Sequence, residues 1–376
     1  MRKSLLESLK DLSGGADSSL SLEVFEETDG HVVEGVLQSS EGDWYPVIDG
    51  VPCFLQGELQ PDFSEFAERH GLSLSGNQAQ QSDRRQEQSK TNETFSDKWR
   101  RFKNYGHDPE HKDFLFGWYL KKLGVESLDD LKDFYRKRGR VLEVGPGSGF
   151  NTRFIAENCS GEVYALDVSE AANTTYHNTK DLENCSVVKA DLMEAPFAND
   201  YFDFIIADGV LHHTPNTKNA VFALFEKVKP GGQFFFYIYR KMGAARQFSD
   251  SHIRESYMQM ETEACYEACE GLTELGRELS KLNATITLEK PIDVLGIPAG
   301  THDIQRLIYY NFVKCFWNDS FDYETNNMVN FDWYHPHNAW QHTEEEVIGW
   351  MDELGVTEYS FKDSNPNGIS VLLTKP

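Results

Sequence analysis

No stretch of the sequence approaches the roughly twenty consecutive apolar residues of a membrane span, so a membrane partner is not expected. Basic residues are also short: 36 Lys and Arg stand against 61 Asp and Glu, a formal net charge of −25. A surface of that sign repels phosphate backbones, which argues against nucleic acid as a partner. Cysteine is scarce. Six residues (Cys53, Cys159, Cys185, Cys265, Cys269 and Cys315) are scattered without a disulfide framework, which suits a reducing cytoplasm. Cys265 and Cys269 lie one helical turn apart with no further ligand nearby, so they read as packing residues and no metal is expected. The polar N-terminus, MRKSLLESLKDLSGG, lacks the apolar core of a signal peptide. Residues 75–93 hold no aliphatic side chain larger than Ala and cannot bury a face, so they read as a linker.

These absences leave three zones: a β-module over residues 1–60, a linker over 61–93, and a dense domain over 94–376. In the first zone, LSLEVFEE, HVVEGVLQ and YPVIDGVPCFL alternate in hydrophobicity between Asp-Gly turns. In the third, RVLEVG, EVYALDVS, CSVVKAD, FDFIIADGVL and QFFFYIYR read as strands, with helices between them. One of those helices, TKNAVFALFEKVKPGG, places Val221, Leu224, Phe225 and Val228 on one face. HTEEEVIGWMDELGV carries a Thr cap and acids in its first turn, and leads to a closing hairpin across SNPNG. The alternation predicts an α/β, doubly wound sheet covered on both sides.

Gly145, Gly147 and Gly149 follow the first of those strands. Glycines there let the backbone approach a ligand at the carboxyl edge of the sheet. The spacing fails the dinucleotide pattern, because Phe150 stands where that pattern has its third glycine. Asp167, at the end of the second strand, suits a pair of ribose hydroxyls. Asp191, after the third, suits an adenine amino group. A nucleoside without a pyrophosphate fits better than a dinucleotide.

LEVGPGSG, ALDVS, VKADLMEAPFANDYFDFIIADGVLHHTPN and KVKPGGQFFFYIY, in this order, resemble the motifs of class I S-adenosylmethionine-dependent methyltransferases. The resemblance covers about 135–240 and the hairpin at 356–375, and implies a seven-stranded Rossmann-like sheet and S-adenosyl-L-methionine as cofactor. It implies that Glu143, Gly145, Gly147 and Gly149 line the methionine part, and that Asp167 and Val168 hold the ribose. Asp191 and Leu192 would then sit at the adenine, with Asp208 and Gly209 facing the methionine end. TFSDKWRRF, residues 94–102, is similar to an aromatic-basic helix that lies over the cofactor in some members, with Phe95 and Trp99 on one face. In the first zone, HVVEGVLQSSEGDWYPVIDGVPCFL resembles a Trm112-like zinc module. Its paired cysteines are missing, and packing around Tyr45, Val47 and Phe54 would replace the metal.

For catalysis the sequence offers His212, on the edge where the methyl group should lie, and FDWYHPHNAWQH, where Trp333, Tyr334 and His335 suit an organic substrate. The latter closes an insertion at about 241–342, expected to form a mostly helical lid. Within it DIQRLIYYNFVKCFW reads as one helix, with Ile304, Leu307, Ile308, Cys315 and Phe316 in the core and Tyr309 and Tyr310 at the pocket. The expectation is a cytoplasmic methyltransferase for a small-molecule substrate. Methylation of protein or tRNA, or a catalytically inactive cofactor-binding partner, are the alternatives. Nothing in the sequence sets an oligomeric state.

Overall fold

The computed structural model describes residues 1–12, 19–73, 83–362 and 366–376, without the side chains of residues 83–86, 110 and 111. The middle of the expected linker and the start of the SNPNG turn lie outside these residues.

The first strands are β1 (Leu20–Thr28), β2 (His31–Ser39), β3 (Trp44–Ile48) and β4 (Val51–Pro52), an antiparallel sheet in that order. Helices α1 (Ser64–His70), α2 (Asp83–Arg101), α3 (Pro109–Leu123) and α4 (Leu128–Arg136) follow. Then come β5 (Arg140–Val144), α5 (Phe150–Asn158), β6 (Glu162–Asp167), α6 (Ala171–Thr179), β7 (Cys185–Lys189), β8 (Phe202–Asp208), α7 (Thr217–Lys227) and β9 (Val228–Tyr239). The insertion holds α8 (Ala244–Tyr257), α9 (Thr262–Lys281), β10 (Thr285–Leu288), β11 (Gly300–Asp303), α10 (Ile304–Asn311) and α11 (Tyr323–Tyr334). The chain closes with α12 (Glu344–Glu353), β12 (Tyr359–Lys362) and β13 (Gly368–Thr374).

The large sheet runs β12-β13-β9-β8-β5-β6-β7, so the expected seven-stranded, doubly wound architecture is present. Strands β5 to β9 are parallel, and β13 and β12 join antiparallel. Two-residue alternation divides its side chains. Leu142, Val144, Ile205, Phe234 and Phe236 pack with α7 and α12. Val141, Phe204, Ile206, Phe235 and Tyr237 pack on the other face with α3, α4 and α5. Both faces are covered, hence the nearly continuous apolar runs. After β7 the chain crosses to the far side of β5, so the carboxyl ends of β5 and β8 border the crevice where such sheets bind ligands.

Four expectations change, three of them before the insertion. Residues 83–93 are not linker but the first half of α2. The helix buries Gln88 and Thr91, and these are satisfied by bonds: Gln88 Oε1 accepts from Asn338 Nδ2 at 3.0 Å, and Thr91 Oγ1 accepts from Asn338 N at 3.1 Å. Ser64–His70 of the same expected linker is α1, which buries Phe66 and Ala67. Val228 begins β9, opposite Phe202, instead of closing α7.

The N-terminal sheet is separate from the large one but packs against its β7 edge, joined by an isolated bridge between Cys53 and Lys189. Phe54 N donates to Lys189 O at 2.8 Å, and Val32, Leu37 and Val47 share a cluster with Leu166 and Val188. Tyr45 stacks on Phe54 at 4.4 Å and donates to Asp11 at 2.6 Å. Cys53 is buried, and among the described residues no group of three His, Cys, Asp or Glu side chains is placed to hold a metal.

Within the insertion, α10 stops at Asn311, short of the expected Trp317. The irregular stretch that follows is pinned by asparagines on α11. Asn330 Oδ1 accepts from Phe316 N, and Asn326 Oδ1 from Asn318 N, both at 2.7 Å. Buried side-chain amides supply the bonds that a continued helix would have made with itself.

Candidate functional site

A cavity of about 590 Å³ opens at the carboxyl edge of the sheet. One wall comes from the ends of β5, β6 and β8, another from α2 and α3, and a third from the insertion.

The sheet wall begins at the glycine turn. Gly145, Gly147 and Gly149 have φ of 68°, 60° and 78°, left-handed values that glycine adopts without strain. Of the three, Gly145 lines the cavity. A Cβ on Gly147 would stand 2.5 Å from the Trp99 ring, and one on Gly149 would press on Thr175, so these two permit close packing. Gly209, after β8, has φ of 77°, and the place of its missing Cβ is open space on the cavity wall.

Asp167, Val168, Asp191 and Leu192 line the same wall. Asp167 Oδ1 accepts from Ser169 N at 2.8 Å and Ser169 Oγ at 2.7 Å, which leaves Oδ2 outside that local pair. Burial raises the Asp167 pKa against those bonds. Asp191 caps the short turn after β7, accepting from Met193 N at 2.9 Å. Glu143 is placed differently from the expectation. It is buried beneath the turn, bonded to Asn151 at 2.8 Å and to Thr152, and absent from the cavity wall. Burial pushes its carboxyl up to about 7 despite those bonds.

Asp208 reaches the cavity already paired. Lys122 of α3, itself buried, approaches its two oxygens at 2.6 and 2.9 Å. From α2, Phe95 and Trp99 line the cavity, and Lys98 bonds Asp332 at 2.9 Å.

The histidines separate. His212 is fully buried outside the cavity wall, its ring 3.7 Å from that of Tyr239, and neither ring nitrogen has a partner among the described residues. Desolvation holds its pKa well below the usual histidine value. His213, the next residue, does line the cavity, with Phe95 edge-on at 4.8 Å. Its Nδ1 lies 2.7 Å from the Asn338 carbonyl, which can only accept, so Nδ1 carries the hydrogen. Burial lowers the ring to about 4, so at neutral pH Nε2 holds a lone pair.

His335 and Tyr334 are not on the cavity wall. His335 spends both nitrogens inside the protein, on Thr94 Oγ1 at 2.8 Å and Met260 O at 3.2 Å. Tyr334 is fully buried and donates to Asp250 at 2.9 Å. Trp333 lines the cavity and donates from Nε1 to the same carboxylate at 2.8 Å. Tyr309 and Tyr310 line it too, with Phe316, which the sequence placed in the core. Arg306, Lys314, Asn318, Met328, Val329 and Asp332 add to the insertion wall. Of the adjacent pair His212-His213 the sequence favoured His212, whereas His213 lines the cavity. Lys122 and Lys314 escaped sequence reasoning, since a solitary Lys on a helix or loop carries no motif.

Residues 142–236 match a family model described as a methyltransferase domain. Over 114 residues the chain is 28% identical to an Arabidopsis thaliana 2-methyl-6-phytyl-1,4-hydroquinone methyltransferase, chloroplastic, covering 30% of this chain and 34% of that protein. Over 106 residues it is 31% identical to the ubiquinone/menaquinone biosynthesis C-methyltransferase UbiE of Proteus mirabilis, covering 26% of this chain and 41% of that one. The chain therefore spans well under half the length of these curated relatives. Among solved structures, the N-methyltransferase NodS from Bradyrhizobium japonicum WM9 with S-adenosyl-L-homocysteine aligns at a TM-score of 0.39 and 13% identity, over 76% of this chain and 99% of that one.

Proposed function

We propose that the chain is an S-adenosylmethionine-dependent methyltransferase acting on a small organic molecule. The observation that carries this reading is the convergence of Asp167, Asp191, Gly145 and Gly209 on one large cavity at the carboxyl edge of a doubly wound sheet. The residues suit the cofactor chemically. Gly209 leaves open the volume a Cβ would fill, and Asp167 stands at the strand end with an oxygen outside its local bonds. In this reading Asp167 and Val168 hold the ribose, Asp191 and Leu192 the adenine edge, and Gly145, Gly209 and the Lys122–Asp208 pair border the methionine end. Phe95 and Trp99 of α2 cover that side and exclude water.

When bound, the cofactor supplies a methyl group on a positively charged sulfur, open to displacement in line with the carbon–sulfur bond. The chain's part is alignment and proton removal. Aromatic rings of Tyr309, Tyr310, Phe316 and Trp333 hold an organic body. For an acceptor that carries a proton, the lone pair on His213 Nε2 takes it, while the Asn338 carbonyl keeps Nδ1 protonated and fixes the ring.

A small acceptor is favoured over protein or RNA by the enclosing insertion wall and by the net charge of −25. The N-terminal sheet fits a Trm112-like module held by Tyr45, Val47 and Phe54 packing in place of zinc. The chain's six free thiols suit a cytoplasmic protein. The test is incubation of the chain with methyl-labelled S-adenosylmethionine and metabolite extracts. Label should appear in a small product, and His213→Gln should depress that transfer while leaving cofactor affinity within a few-fold. Label found only in protein or RNA, or in no product from any extract, contradicts the reading.

A further inference from the structure

The cavity's charges are not evenly matched. Lys122 of α3 pairs with Asp208 at the end of β8, and Lys98 of α2 pairs with Asp332 of the insertion wall. The insertion wall adds Arg306 and Lys314, neither of which has a carboxylate partner among the described residues. Arg306 spends one guanidinium nitrogen on the Trp317 carbonyl at 3.1 Å and lies over the rings of Tyr309 and Phe316, at 5.6 and 5.9 Å. Lys314 is 6% exposed, yet among the described residues its Nζ has no hydrogen-bond partner, and it rests 4.2 Å from the Trp333 ring and 5.7 Å from that of Tyr309.

A buried ammonium without an anion is costly, and ring faces offset only part of that cost. The fold nevertheless fixes this one in place. Lys314 N donates to Tyr334 Oη at 3.1 Å, and Tyr334 is held by Asp250, which also holds Trp333 and Arg246. The charged groups acting on Lys314 are Arg246 and Lys98, which oppose its charge, and Asp332 and Asp250, which favour it; burial dominates and lowers the amine to about 7. Of the nearby acids, Asp250 is engaged by Arg246 and Asp332 by Lys98 through Oδ2, while Asp332 Oδ1 has no partner among the described residues. An oxyanion brought by a ligand would complete the site, with the aromatic rings around it taking the ligand's body.

We propose that the methyl acceptor is an anion, its carboxylate or phosphate group held by Lys314 and Arg306 and its apolar or aromatic body lying among Tyr309, Phe316 and Trp333. The inference rests on the methyltransferase reading for the word acceptor, but the anion site stands or falls separately. Tyr334 is then a positioning residue for Lys314 and not a catalytic one.

Calorimetry on the full chain with benzoate, phenyl phosphate and neutral benzyl alcohol tests it, at about pH 6, where a lysine of lowered pKa keeps its proton. An anionic probe should bind wild type at least about tenfold tighter than the alcohol, as hydrogen bonds between charged groups imply. Preference for benzoate assigns a carboxylate, and preference for phenyl phosphate a phosphate. Lys314→Met and Arg306→Gln should each erase most of the preference while affinity for S-adenosylhomocysteine stays within a few-fold. Lys314→Met should also melt no lower than wild type, since it removes an unpaired buried charge. Equal or undetectable binding of all three probes by wild type overturns the proposal, as does a preference that survives in both variants. A joint fall in S-adenosylhomocysteine affinity would assign the cations to the cofactor's own carboxylate and overturn it too. If wild type prefers the anions but does not bind S-adenosylhomocysteine, the anion site stands and the methyltransferase reading fails.

Discussion

Asp250 is the residue whose loss should do most damage outside the cavity. It is 1% exposed and accepts from Arg246 Nε at 2.7 Å, Trp333 Nε1 at 2.8 Å and Tyr334 Oη at 2.9 Å. Arg246 is fully buried, and one of its nitrogens already lacks a partner among the described residues. Asp250→Leu would strand that guanidinium, which costs roughly 3–5 kcal/mol when one member of a buried pair is removed. The Trp333 N–H would lose its acceptor for about 1–3 kcal/mol more. Tyr334 loses less, because the Lys314 carbonyl lies 3.4 Å from its hydroxyl. These terms overlap, so the expected total is about 4–6 kcal/mol, a large part of the roughly 5–15 kcal/mol that keeps a domain folded. Urea denaturation followed by tryptophan fluorescence would read it. The double variant Arg246→Leu with Asp250→Leu should be less unstable than Asp250→Leu alone, because no charge is left stranded. A loss below about 1 kcal/mol in Asp250→Leu, the ordinary size for a surface change, would refute the reasoning.

Acid should destabilise the fold through its buried imidazoles. His213 titrates near 4 in the folded chain and near 6.5 when unfolded, so the unfolded state binds more protons between those values. Stability should therefore fall as pH drops from about 6.5 to 4, by about 3 kcal/mol for this residue. His212, His335 and His342 are shifted the same way. Glu143 acts oppositely, binding its proton more tightly when folded and losing that contribution as pH rises from 4.5 to about 7. Stability curves of His213→Gln should be flatter at the acid end; an unchanged slope would contradict the assignment. Gly209→Val should weaken S-adenosylhomocysteine binding by about tenfold or more, through a side chain in the cavity and a φ that costs a β-branched residue about 1–2 kcal/mol; equal affinity by calorimetry would place the ligand elsewhere. Tyr334→Phe should lower stability by about 1–2 kcal/mol in urea melts and leave cofactor affinity alone. A large loss of cofactor affinity there would restore Tyr334 to the binding wall.

The sheet was legible because its signals are local. An apolar run, a bend that needs positive φ at Gly145, and an acid at the next strand end are each set by a few neighbouring residues. The insertion wall was not. Trp333 and Tyr334 are adjacent on α11, but only Trp333 reaches the cavity, and which of two neighbours does so depends on how α11 packs on α8 and α9. The same holds for His212 and His213, which share one tight turn and point to different surroundings. The start of α2 escaped because its buried positions are Gln88 and Thr91, satisfied by Asn338 some 250 residues away, and hydrophobic periodicity cannot register such a face. Lys122 meets Asp208 across 86 residues, a pairing no spacing rule predicts.

The proposed methyltransferase function requires that this cavity hold S-adenosylmethionine with Asp167 on the ribose. Titration calorimetry of the full chain with S-adenosylhomocysteine, on wild type and Asp167→Ala in parallel, tests it most directly. Wild type should bind saturably at one site per chain. The variant should lose roughly 2–4 kcal/mol, the size of two hydrogen bonds to a carboxylate. Folded wild type that gives no binding heat, or a variant that binds as tightly as wild type, would contradict it.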